Sequence, residues 1–188
     1  MRRISIILTV LCCLIGFTTN AQVFSKGDIV LNGTIGFGSL TNYSIGLPPI
    51  AISGEYCIVD NLFDANSAIG VGAYVGVGRY KHVHWNDYDV KIKDLYTRWV
   101  FGARGLFHYN FVDNLDTYAG LMLGVYSNSE KKTYTDNTNT VKTNKYTSAA
   151  FAYSLFIGAR YYFTPNFGVV AEAGYGLTFF SLGVTYKL

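Results

Sequence analysis

Apolar side chains alternate with small or polar ones along most of this chain. The alternation is clearest at the end of the sequence, where every second side chain from Phe180 to Leu188 is large and apolar. A period of two is that of a β-strand, whose successive side chains point to opposite faces of the sheet. Eight segments follow it: residues 28–39, 50–59, 69–78, 99–111, 119–126, 151–163, 167–177 and 180–188. The pattern therefore predicts eight strands.

The two faces of these segments differ in chemistry. Large aliphatic and aromatic side chains fill one face, and four charged residues share the opposite one: Glu55, Arg104, Arg160 and Glu172. A soluble barrel has the inverse arrangement, with its apolar face inside. Charges inside and hydrocarbon outside are typical of a membrane barrel, whose closed sheet pairs every backbone N–H and C=O group. We therefore predict an all-β fold, an eight-stranded antiparallel up-and-down transmembrane β-barrel, with a secreted soluble β-sandwich as the alternative.

The predicted connections between the strands alternate in length. Turns at 60–66, 112–115 and 164–166 alternate with longer connections at 40–49, 81–93 and 129–146, and the last connection, near Thr178, is short. Tight turns at one end and long loops at the other are the asymmetry of outer-membrane barrels. The 129–146 connection is rich in Thr, Asn and Lys. It is either a solvated hairpin or a surface for adhesion and host contact.

The composition agrees with strands in a membrane. The chain has 16 Tyr, 13 Phe and 20 Gly but only 3 Pro, which favours strands over packed helices. Tyr109 and Phe111 lie beside one predicted turn, and Tyr161, Tyr162 and Phe163 lie beside another, which predicts an interfacial aromatic girdle. No stretch after the first 21 residues approaches 18 consecutive apolar residues, so we predict no membrane-spanning helix.

The first 21 residues have the three parts of a secretory leader. Arg2 and Arg3 form the positive end, residues 4–17 are an apolar run too short to span a membrane, and Thr19-Asn20-Ala21 is a small-residue cleavage site. We therefore predict a signal peptide at 1–21 and a single barrel domain at 22–188. Export places the mature chain outside the cytoplasm.

Removal of this leader also changes the cysteine count and the charge. Cys57 remains as the single cysteine of the mature chain, so an internal disulfide is not expected. The formal net charge falls from +3 to +1 because Arg2 and Arg3 are lost. A net charge this close to zero does not indicate a nucleic-acid partner.

With these residues in hand, the chain resembles the small outer-membrane β-barrel family that includes the OmpA transmembrane domain and the OmpX- and opacity-type proteins. The motifs that carry the resemblance are Gly102-Ala103-Arg104-Gly105, Gly158-Ala159-Arg160, the stretch 171–176 and the closing segment 183–188. None of them is a catalytic signature.

This resemblance implies a location and a set of partners. It implies the outer membrane of a Gram-negative bacterium, with outer-membrane lipids and lipopolysaccharide around a monomeric barrel. Family members are assembled by the barrel-assembly machinery, which reads an aromatic residue at the end of the last strand. This chain ends on Leu188, so we expect that recognition to depend on Tyr186 and Phe180.

The charged face of the predicted barrel is the main candidate for function. Buried charges are costly unless they are paired, so we expect Glu55, Arg104, Arg160 and Glu172 to form a network in the lumen. Eight strands leave little room beyond side chains, which favours a plug. The alternative, taken from the resemblance to the OmpA barrel, is a gate whose ion pairs exchange partners and pass ions.

Two histidines raise two further possibilities. His82 and His84 alternate near acidic residues and are weak candidates for a metal site, since no third ligand is evident. Some barrels of this size are lipid A deacylases with a Ser/His/Glu set, but no serine adjoins these histidines. We therefore expect no enzyme and no cofactor, and a role in membrane integrity or surface interaction. A narrow ion channel is the alternative, and a lipid A-modifying enzyme a more distant one.

Overall fold

The computed structural model describes residues 23–38, 44–85, 91–135 and 141–188. The predicted signal peptide at 1–21 lies outside the described residues, so its cleavage after Ala21 stays a prediction. No helix in the described part of the chain is long and apolar enough to cross a membrane.

Eight antiparallel strands form one closed barrel in which each strand pairs with its neighbours in sequence. The strands are β1 (Ile29–Phe37), β2 (Ser44–Asp60), β3 (Ser67–Trp85), β4 (Lys91–Val112), β5 (Leu115–Thr135), β6 (Val141–Tyr162), β7 (Phe167–Tyr175) and β8 (Phe180–Lys187). The ring closes between β1 and β8, whose ladder runs from Val30↔Lys187 to Phe37↔Phe180. The prediction of an eight-stranded up-and-down barrel is confirmed.

Large apolar side chains cover the outward face of the barrel. Every strand contributes, as shown by Leu31, Ile52, Val71, Phe101, Leu123, Leu155, Val169 and Val184, all of them exposed. Leu155 exposes 67% of its surface, whereas the next residue, Phe156, points into the lumen and exposes 9%. This belt would aggregate in water, and it matches a bilayer interior. The inversion of faces predicted from the alternation is confirmed, and the barrel is a transmembrane one.

The lumen is narrow and packed with side chains. Its apolar part includes Leu106, Tyr118, Met122 and Phe156, all buried. Gly158 leaves room for one of these rings, because a Cβ at this position would overlap Tyr118. This close approach explains why glycine occupies an inward position of β6.

The predicted aromatic girdle needs one correction. Phe111 and Phe163 are strongly exposed at the turn end of the barrel, where an interfacial girdle lies. Tyr162 exposes only 4% of its surface, so its assignment to the girdle is wrong. The reason is the period of two, which places its side chain on the same inward face as Arg160.

Five strands are much longer than the alternation predicts. β2 contains 17 residues against the ten predicted at 50–59, and the four strands that follow it are longer still. β3, β4, β5 and β6 contain 19, 22, 21 and 22 residues, against nine in β1. The long loops predicted at 81–93 and 129–146 are therefore wrong, since most of these residues continue the ladders. The loop predicted at 40–49 is wrong from Ser44 onward, where β2 begins. Beyond the lipid both faces of a strand meet water, so the apolar alternation ends while the backbone pairing continues.

We call this continuation the extension and define it as residues 78–85, 91–98, 128–135 and 141–148. The four segments pair in order, from Gly78↔Arg98 at the barrel to Thr135↔Val141 at the far end. Eight residues of strand span about 25 Å. The extension is therefore a four-stranded sheet that projects from one end of the barrel. The short turns after β2, β4 and β6 lie at the opposite end, whereas the short β7–β8 connection lies at the end of the extension.

Candidate functional site

Four side chains in the lumen form a closed ring of polar contacts, which we call the tetrad: Glu55, His108, Asp116 and Arg160. They come from β2, β4, β5 and β6, and each points inward. Arg160 donates from Nη1 to Asp116 Oδ2 at 2.9 Å and from Nη2 to Glu55 Oε2. His108 closes the ring, with Nδ1 at 2.8 Å from Asp116 Oδ1 and Nε2 at 2.5 Å from Glu55 Oε1.

The tetrad is shielded from solvent. Arg160 and Asp116 expose 0% of their surface, and His108 exposes 1%. Buried charges of this kind are tolerated only when opposite charges and hydrogen bonds replace water. With His108 as an imidazolium, two positive groups face two carboxylates and the tetrad is neutral. The 2.5 Å contact between His108 Nε2 and Glu55 Oε1 lacks hydrogen-bond geometry, and it is an ion pair when His108 is protonated.

A second cluster lies beside the tetrad. Arg104 Nη2 donates to Glu172 Oε1 at 2.6 Å, and the Tyr118 hydroxyl donates to the same oxygen at 2.8 Å. The guanidinium of Arg104 also stacks over the Phe156 ring at 4.0 Å. Tyr118 links the two clusters, because Arg160 lies 4.5 Å above its ring. A void of about 40 Å³ beside Arg104 and Glu172 has room for a few water molecules.

The structure places all four charged residues predicted from the sequence in the lumen. It divides them into two pairs, Arg160 with Glu55 and Arg104 with Glu172. Neither His108 nor Asp116 was placed in this network from the sequence. The signal for Asp116 was present, since continuing the alternation of residues 119–126 back by three residues puts Asp116 on the inward face.

The segment before β1 covers the turn end of the lumen. Phe24 is 1% exposed, and its ring centroid lies 4.4 Å from that of His108. Its neighbours are tied to the barrel, because the Gly27 N–H donates to the Cys57 carbonyl at 3.1 Å. Lys187 Nζ donates a hydrogen bond to the Val23 carbonyl at 3.0 Å. The Phe24 ring therefore lies directly against the tetrad, between it and the turn end.

The two candidate metal-binding histidines lie in the extension. His82 stands opposite Asp94 in the β3–β4 ladder. His84 belongs to β3, and its side chain lies outside the described part of the structure. Among the residues that the structure describes, no group of three or more His, Cys, Asp or Glu side chains is placed to hold a metal ion.

Among the residues that the structure describes, no strand pairs with the outer edge of β6 in the extension. β7 pairs with β6 only from Leu155 to Tyr162, so this ladder does not reach the part of β6 that belongs to the extension. Residues 143–151 of β6 are exposed on both faces. A long strand with a free edge presents unpaired N–H and C=O groups, to which another extended chain can add.

Comparison with known proteins finds similarity at the level of architecture. Ail, the attachment invasion locus protein of Yersinia pestis, is 14% identical, with a TM-score of 0.47 over 87% of this chain and 99% of Ail. Neisserial surface protein A is 15% identical, with a TM-score of 0.40 over 86% and 94% of the two chains. The N-terminal β-barrel domain of Pseudomonas aeruginosa OprF is 15% identical, with a TM-score of 0.39 over 87% and 98%. No protein-family model matches the sequence, and no curated protein matches it.

Proposed function

We propose that this protein is an outer-membrane β-barrel with a sealed lumen that acts at the cell surface through its extension. The outward apolar belt and the antiparallel up-and-down topology are those of bacterial outer-membrane barrels. In such barrels the short turns face the periplasm, so the extension projects from the cell. Outer-membrane lipids and lipopolysaccharide then surround a monomer, which the barrel-assembly machinery inserts by its last strand.

The burial of the tetrad supports a sealed lumen. A continuous aqueous path would leave Arg160, Asp116 and His108 in contact with water, yet their exposures are 0%, 0% and 1%. Phe24 adds an apolar cover on the periplasmic side of the tetrad. The same burial supports a structural role for His108, because a substrate cannot reach it. We therefore propose a plug rather than a channel or an enzyme.

The observation that carries the surface role is the open edge of the extension. The exposed β6 residues 143–151 offer backbone hydrogen bonds on one side and side chains on both faces. This is the arrangement used in β-strand addition, in which a partner contributes an extended segment to a sheet edge. An adhesion-like role with a protein partner follows from it.

Two measurements test this function separately. The purified protein in a planar bilayer should give no steady single-channel current, whereas a current that changes in Arg160 variants would make it a gated pore.

Cells that display the protein should adhere to host cells or matrix. A variant in which residues 131–144 are replaced by a two-residue turn should lose adherence but keep heat-modifiable gel mobility. Equal adherence of both forms would contradict the surface role.

A further inference from the structure

The extension encloses a cavity on its inward face that is separate from the lumen network. Its volume is about 250 Å³. Three tyrosines and three planar polar groups line it: Tyr80, Tyr96, Tyr146, Arg98, Asn128 and Glu130. The cavity lies at the mouth of the barrel, where the four extension strands leave it.

Strand register brings these residues together. Tyr80 pairs with Tyr96, Tyr96 with Glu130, and Glu130 with Tyr146, so all four lie in one row across the sheet. Arg98 pairs with Asn128 in a second row on the same face, two residues closer to the barrel. The cavity is therefore part of the sheet itself and does not depend on a loop.

Hydrogen bonds hold the polar groups of this cavity in place. The Tyr96 hydroxyl donates to Glu130 Oε1 at 2.7 Å, and Lys132 lies 3.1 Å from the same oxygen. Arg98 Nε donates to Asn128 Oδ1 at 2.8 Å. A guanidinium has five N–H donors and a carboxylate has about four acceptor positions. Both groups therefore keep capacity for a ligand without having to reorganise.

We propose that this cavity binds a neutral sugar. Tyrosine rings supply rigid amphipathic contact area for the C–H face of a sugar ring, and planar donors and acceptors suit its hydroxyl groups. The lining contains one cation, Arg98, and one anion, Glu130, and the neighbouring Lys132 is paired with Glu130. This near balance of charge does not select a strongly charged ligand. A volume of about 250 Å³ suits one or two sugar rings. The inference rests on the proposed function, which places the extension outside the cell.

Two sources share this chemistry: a free or host-borne glycan and the core sugars of lipopolysaccharide in the same membrane. The test uses the purified protein in phospholipid nanodiscs, with lactose and N,N′-diacetylchitobiose as neutral probes and a sulfated disaccharide for comparison. Saturation-transfer NMR should show both neutral probes bound in preference to the sulfated one. Displacement by lipopolysaccharide with a full core, but not by lipid A alone, would identify the membrane's own sugars. If lipopolysaccharide does not displace the bound probe, the ligand is an external glycan.

Two tyrosines of β6 provide the variant and its matched control. Tyr146 and Tyr153 each expose 59% of their surface, but Tyr146 lines the cavity whereas Tyr153 is on the opposite face of the strand. Tyr146→Ala should weaken probe binding up to about ten-fold, the effect of losing one aromatic contact, and Tyr153→Ala should leave it unchanged. Equal effects in the two variants, preference for the sulfated probe, or no signal from any probe would overturn the inference. Heat-modifiable mobility and cell-surface protease accessibility, measured alongside, report on the proposed function independently.

Discussion

Replacing Arg160 by methionine tests whether the tetrad stabilises the barrel as a unit. The variant keeps an unbranched side chain of similar length but removes the guanidinium from Glu55 and Asp116, at 4% and 0% exposure, and leaves both carboxylates against the His108 ring. Removing one partner from a buried ion pair costs about 3–5 kcal/mol. This is a large part of the 5–15 kcal/mol that separates a typical folded protein from its unfolded state.

The assay is urea unfolding in lipid vesicles, followed by heat-modifiable gel mobility. The free energy of unfolding falls by about 2 kcal/mol per molar urea, so a loss of about 4 kcal/mol in stability lowers the urea concentration at the unfolding midpoint by about 2 M. Lys132→Met is the matched control, because Lys132 pairs with Glu130 at 3.1 Å in a partly exposed position, where such a pair contributes about 0–1 kcal/mol.

A third variant separates charge from packing. Adding Glu55→Gln and Asp116→Asn to Arg160→Met removes the uncompensated carboxylates. We therefore expect the urea midpoint of the triple variant to return a large part of the way to that of the unsubstituted protein. If Arg160→Met unfolds at the same urea concentration as Lys132→Met, the reasoning that the buried charges depend on one another is refuted.

Three further predictions concern the turn end, the lumen wall and the leader. Phe24→Ala should increase the maleimide labelling rate of the buried Cys57 at least ~ten-fold, because Phe24 belongs to the same buried cluster as Cys57 and its removal leaves a cavity; an unchanged rate would show that the segment does not cover the lumen. Gly158→Ala should destabilise the barrel by about 1–3 kcal/mol in the urea assay through overpacking, whereas Gly105→Ala, with open space at its Cβ, should have little effect. Mass spectrometry of the exported protein should find Gln22 as its first residue, and a retained leader would contradict the predicted cleavage.

The sequence was sufficient to predict most of the barrel because the bilayer imposes a simple rule on it. A strand between lipid and lumen must alternate, so residues 151–163 and 180–188 reveal both their secondary structure and their orientation. The same rule places Arg104 and Glu172 inside the barrel. It fails beyond the lipid, where the pattern predicts loops although the extension strands continue the ladders.

The partners inside the lumen could not be predicted in the same way. Alternation assigns a face to each residue, but the register between strands decides which inward residues meet. Asp116 of β5 lies opposite Arg160 of β6 in their ladder, and this pairing together with the curvature of the wall brings His108 and Glu55 to the same point. The position of Phe24 is harder still to predict from the sequence, because the segment before β1 has no periodicity.

The sequence by itself thus determined the all-β class, the number of strands, their inward and outward faces and four of the charged residues that face the lumen. Each of these follows from the local alternation of side chains between the lipid outside the barrel and the lumen inside it. Only the tertiary structure decided the division of the charges into a tetrad and a second pair, the cover formed by Phe24, and the projecting extension with its cavity. These features depend on contacts between residues far apart in the chain, which closure and register create and no local pattern encodes.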